Sequence, residues 1–148
     1  MTTHPTTRGA AALVTAVVAL TVLTGCGGDD PYCAAVKEHR SALDSFGKKV
    51  TSKAFESDVK AVQAITSTAP DSSKDDWAAV GAAMEKVTDA QEEAGIKLED
   101  MTDPAKYGEL DSDALASLNK AYEGFNDTSK QRKAAFEDVQ SVCDITLR

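Results

Sequence analysis

Two hydrophobic patterns divide this chain of 148 residues. Residues 9–23 form an unbroken run of Gly, Ala, Val, Leu and Thr without a single charge. After Cys26 the apolar positions recur in steps of three and four, and no stretch alternates long enough to suggest a strand. The pattern predicts an all-α domain over residues 31–148, an up-and-down bundle of four to five helices.

The first predicted helix opens with Asp30 as N-cap and Pro31 at the first helical position, where a missing N–H costs nothing. It carries Cys33, Val36, Leu43 and Phe46, and Gly47 ends it. A second helix over residues 53–67 presents Phe55, Val59, Val62 and Ile65, and Ala69-Pro70 stops it. The third has the clearest stripe, with Trp77, Val80, Met84, Val87, Gln91 and Ala94 on one face. Ser73 and Asp76 resemble a capping box at its start, and Gly95-Ile96 suits a left-handed cap with a hydrophobic latch.

Residues 96–110, with Pro104 and Gly108, read as a long connection whose Ile96, Leu98, Met101 and Tyr107 pack over the bundle. From residue 112 onward Leu115, Leu118, Tyr122, Phe125, Phe136, Val139 and Cys143 keep one phase. Ser129 and Arg132 interrupt it just after Asn126-Asp127-Thr128, which favours a break there over one helix about 48 Å long.

The N-terminal run has the parts of an export signal. Residues 1–8 are short and polar with Arg8 as the fixed charge, and the apolar run falls short of the roughly 20 residues that span a bilayer. It closes on Leu23-Thr24-Gly25-Cys26, which resembles the bacterial lipoprotein signal. That resemblance implies a cleaved signal over residues 1–25, a diacylglyceryl group on Cys26, and a protein held at the outer face of the cell membrane. An uncleaved transmembrane anchor accounts for the run but not for the Gly-Cys pair at its end. Two acyl chains give stable anchoring where one does not. Residues 26–30 then form a lipidated tether, and the four residues after Cys26 reach at most about 14 Å. The membrane, through that lipid, is the first expected partner.

Charge removes one class of function. The chain carries 16 bases against 24 acids, a net charge of −8. Losing Arg8 with the signal makes the remainder about one unit more acidic, against nucleic-acid binding, which needs a basic surface.

Cys33 and Cys143 remain as an even pair in an exported chain, and a disulfide is the expected reading. It requires the start of the first helix and the end of the last to meet, so an up-and-down bundle needs an even number of passes. With no Cys-x-x-Cys, and His39 the sole histidine after processing, neither a metal nor a cofactor is expected.

Tyr32-Cys33, Val36-Lys37-Glu38-His39, Ala69-Pro70 leading to Asp76-Trp77, and Phe136-Glu137-Asp138-Val139 with Val142-Cys143 and Leu147 resemble small helical lipoproteins of actinobacteria. The resemblance implies the fold and the address, and it adds no catalytic residue.

His39 reads as a half-buried core histidine before a pH-sensing one, and Trp77 as core before a ligand platform. The acidic pairs fit no calcium loop, and no serine has a nucleophile context. The expected function is therefore a non-enzymatic binding module for an unidentified protein or cell-envelope component. Trp77, Tyr107 and Tyr122 are its candidate contacts. The alternative is a carrier for a small apolar molecule, held in a cavity lined by Phe55, Trp77, Met84, Tyr122 and Phe136.

Overall fold

The computed structural model describes residues 30–148; the expected signal, Cys26 and most of the tether lie outside them. The described chain is all-helical, with seven α-helices and one 3-10 turn. In order these are α1 (Pro31–Glu38), α2 (Arg40–Ser45), α3 (Ser52–Thr68), α4 (Lys74–Ala94), the 3-10 turn (Leu98–Thr102), α5 (Pro104–Gly108), α6 (Ser112–Asp127) and α7 (Ser129–Cys143). No described helix is long and apolar enough to cross a membrane.

Local chemistry accounts for most of these ends. The Asp30 carboxylate accepts the N–H groups of Tyr32 and Cys33, with Pro31 inside the first turn, as expected. Thr51 caps α3 and Asp111 caps α6 through their side chains. At the end of α4, Gly95 sits at φ +63°, its N–H bonded to Glu92 O and the Ile96 N–H to Gln91 O. This is a Schellman cap, and the buried Ile96 is its hydrophobic latch.

α4 is the central element, packed against α3, α6 and α7. α3 runs back along it: a Cβ built on Gly81 meets Val62 Cγ1 at 3.4 Å, and Gln63 Nε2 donates to Glu85 Oε1 at 2.9 Å. Ser52, at the start of α3, accepts the Leu98 N–H just beyond the end of α4. α6 packs beside the later turns of α4 and α7 beside its first turns. Gln91 meets Tyr122, and Ser73 meets Asp138.

The core has two parts. Tyr32, Val36, Leu43, Val62, Ile65, Trp77, Val80, Met84 and Val139 gather α1, α2, α3, α4 and α7. Val87, Ala90, Ile96, Leu118 and Ala121 join α4 to α6. Phe55 and Phe125 pack against both. The rings form a chain of neighbours from Phe55 to Phe125, Phe46, Phe136 and Trp77, with centroids 6.0–6.4 Å apart. Such offset and edge-on pairs contribute beyond their buried area.

The expected Cys33–Cys143 disulfide is present, with Cα atoms 5.3 Å apart across 110 residues of sequence. Beyond it the chain turns at Asp144 (φ 55°) and folds back along α2. There the Arg148 N–H donates to Asp44 Oδ1 and Arg40 donates to Thr146 O.

The structure corrects four details. The first helix is not continuous to Gly47; it breaks at His39 (φ −95°, ψ 9°). The His39 carbonyl accepts the N–H groups of both Ala42 and Leu43, so the ladder crosses the break without a Gly or Pro to announce it. Ser73 is the N-cap of α4 but closes no capping box, because its hydroxyl donates to Asp138 Oδ2 on α7 at 2.8 Å. The connection over residues 96–110 is mostly helical, with Asp103 capping α5 and Met101, Tyr107 and Leu110 packed on the second core cluster. The last helical region breaks at Thr128 as favoured, but the Thr128 hydroxyl does not cap α7. It donates to Phe125 O and accepts from Arg132. Arg132 also lies 4.6 Å from the Phe125 ring centroid, which explains a cation on an apolar stripe.

Two stability predictions follow from these ends. In the chain-entropy picture a loop of this length is worth about 4.7 kcal/mol. Reduction, or Cys143→Ala, is therefore expected to remove about 2–4 kcal/mol, read as a lowered melting temperature in calorimetry. Gly95→Ala is expected to cost about 1 kcal/mol, because a Cβ is strained in the left-handed region. A denaturant midpoint unchanged from the parent contradicts that reading.

Candidate functional site

The disulfide end is held by a polar clasp as well as by sulfur, running from a buried bond to an exposed one. Trp77 Nε1 donates to Tyr32 Oη at 3.1 Å, joining α4 to α1, and the hydroxyls of Ser72 and Ser73 donate to Asp138, joining α4 to α7. Burial pushes the Tyr32 phenol up, with the Trp77 N–H opposing the shift. Trp77 itself is 1% exposed and its one polar atom is already used.

Of the other aromatic candidates, Tyr122 is half-buried and accepts Gln91 Nε2 at 2.7 Å. Burial raises its phenol too, with the Gln91 contact lowering it. Tyr107 on α5 packs against the same second cluster. The fold brings Tyr107 and Tyr122 to one cluster and leaves Trp77 in the other. Among the described residues no three His, Cys, Asp or Glu are grouped to hold a metal ion.

Two surface features that the large apolar residues did not signal are better formed. One is an open groove of about 810 Å³ between α4 and α6. Its floor is built of small residues, Ala79, Ala82, Ala83, Ala90, Ala121 and Gly124. Its rim alternates charge, with Lys86 and Lys120 among Asp89, Glu93, Glu123 and Asp127. Small side chains at a helix–helix seam leave room for another backbone to approach closely.

The other is a polar cleft of about 240 Å³ where the α1–α2 break faces the start of α3. Glu38, His39, Ser41, Ser45, Lys49, Ser57 and Asp58 contribute to its walls. Asp58 is only 5% exposed. Burial raises its carboxyl to about 6, against an ordinary value of 3.8; the Gly47 amide and the Lys49 charge only partly offset this. Gly47 adopts φ +70° in the turn that presents its amide. The Ser45 hydroxyl is committed to the carbonyls of Ser41 and Ala42.

Asp58 was findable in principle. It stands three residues after Phe55 and four before Val62, in phase with the buried stripe of α3, and a stripe read only through its apolar members passes over it.

No protein-family model matches this chain, and no curated protein and no solved structure is significantly similar to it.

Ionised Asp58 is held at a cost, since each unit of pKa corresponds to about 1.4 kcal/mol. A carboxyl raised in the fold contributes stability that is fully present below its unfolded value near 3.8. That stability is lost as pH rises through about 6. Asp58→Asn keeps an acceptor for the Gly47 amide and removes the charge. The variant is expected to match the parent near pH 4 and exceed it by about 1–2 kcal/mol at pH 7. Denaturant unfolding across that range checks this, and a variant less stable at pH 7 contradicts it.

Proposed function

We propose that the protein is a lipid-anchored, extracytoplasmic helical module that binds a protein or envelope component and performs no catalysis. The observation that carries the reading is the Gly25-Cys26 pair closing an apolar run, with a helix beginning at Pro31. On this reading Cys26 carries the lipid, and the domain stands within a few residues of the outer membrane surface. The resemblance to actinobacterial lipoproteins points to the same address.

We read the helices as four passes: α1 with α2, α3, α4, and α6 with α7. The single-residue step at Thr128 leaves α6 and α7 both packed along α4, so they count as one pass. This satisfies the even parity required by the disulfide. The groove between α4 and α6 then lies along the side of the bundle and is the favoured docking face.

Binding is favoured over catalysis because no serine of the sequence stands in a nucleophile context. A nucleophile needs its base within hydrogen-bond reach, whereas the Ser45 hydroxyl is spent on helix carbonyls. Docking is favoured over carriage of an apolar molecule by the packing of the proposed cavity lining. Trp77 and Met84 are core residues, and Phe136 stacks 6.0 Å from Trp77.

Cys26→Ser is expected to move the protein out of the membrane fraction or leave it unprocessed. Unchanged size and fractionation overturn the anchor. A photocrosslinker at Ala82, in the groove, is expected to capture an envelope component in the protein's own cells. One at Glu56, exposed on α3, is expected not to. Equal capture from both positions contradicts the docking face.

A further inference from the structure

The Asp58 cleft shares no residue with the α4–α6 groove and has no role in the docking reading. Its lining includes a carboxylate more than nine-tenths buried, which the Gly47 amide hydrogen-bonds and the Lys49 charge reaches only through space. The ion pairs among the described residues lie elsewhere, at Arg40–Asp44, Lys106–Asp100 and Lys133–Glu137. An ionised carboxylate has about four acceptor positions, so one backbone amide leaves most of them unused. A buried charge whose one cation acts only through space is unfavourable unless something else completes it.

We propose that this cleft binds the ammonium group of an aliphatic amine, with Asp58 as the counter-ion, the Ser41 and Ser57 hydroxyls around it and Glu38 at the rim. The site selects this ligand class by what it contains. A metal ion lacks a third ligand, because no group of three His, Cys, Asp or Glu forms here. A quaternary ammonium lacks an aromatic wall, since the lining holds no Phe, Tyr or Trp. A compact ammonium with three donors suits one free carboxylate edge and flanking hydroxyls, whereas a planar guanidinium needs both oxygens in its plane. The volume of about 240 Å³ takes a short chain and not a drug-sized molecule. The acidic balance of the chain, net −8, raises the local concentration of cations.

The charged groups facing Asp58 across the cleft are Glu38 from α1, His39 at the break and Lys49 from the turn before α3; α2 contributes only serines and an alanine. Acidification neutralises Asp58, which removes the counter-ion of a bound ammonium. Lys49 is the resident competitor.

The test is titration of the full chain with a four-carbon diamine at pH 7 and pH 5. Binding is followed by calorimetry and by the backbone amide resonances of Gly47, Ser57 and Asp58. Saturable binding in the millimolar range or tighter is expected at pH 7. It weakens about tenfold at pH 5, as the ionised fraction of Asp58 falls. Asp58→Asn is expected to abolish binding while its melting curve certifies the fold, and Lys49→Ala to tighten it severalfold. A capped lysine peptide, run in parallel, separates a free amine from a lysine side chain on a partner; binding of either probe through Asp58 upholds the assignment. No saturable binding of either probe, or equal binding by Asp58→Asn, overturns it. Neither result bears on the anchor or the groove, so their failures are distinguishable.

Discussion

The closure of the first helix onto the last is the constraint on which the rest of this structure depends. Cys33 and Cys143 set it covalently across 110 residues. The Trp77–Tyr32 hydrogen bond and the serine contacts to Asp138 repeat it with polar groups from α1, α4 and α7. Around that clasp Val36, Ile65, Val80 and Val139 are enclosed, and the aromatic chain carries the packing on to Phe55 and Phe125. A small domain with few aromatic residues has limited apolar area to bury, so a covalent link supplies a large share of its margin.

Polar residues at core positions separate structure from function here. Ser73, Gln91, Thr128 and Asp58 are all buried. The first three reach Asp138, Tyr122, and Phe125 with Arg132. Each of those contacts ties one helical segment to another or steadies a break. Asp58 is the exception, charged, desolvated and facing a cleft with a single backbone donor. Perturbed carboxylates in clefts concentrate at functional sites, and this one is the buried polar group that no contact between helices accounts for.

Much of the fold was legible because its signals are local. The Asp30-Pro31 start, the α4 stripe, the Gly95-Ile96 latch and the interruption before Ser129 follow from caps and periodicity within a few residues of each event. The disulfide followed from cysteine count and export context. What was not legible depends on distant partners or on breaks without a breaker. His39 ends α1 with the hydrogen-bond ladder nearly intact, and Ser73 abandons its local cap for Asp138, 65 residues away. The 3-10 turn and α5 are too short to carry a period. The groove escaped notice because its floor is alanine and glycine, which a search for large apolar residues does not register. Trp77 drew attention by size and is spent on the core, while Asp58 sat unremarked within a correctly placed stripe.

The first helix is clasped to the last by sulfur and by polar contacts, and that closure orders the helices packed around it. Hydrogen exchange with and without reductant, on the full chain, tests this most directly. Reduction is expected to strip protection from the amides of Val36, Trp77 and Val139, around the clasp. Those of Val87 and Leu118, in the second cluster, should stay protected longest. Protection lost evenly across both clusters, or unchanged at Val36 and Val139, would contradict it.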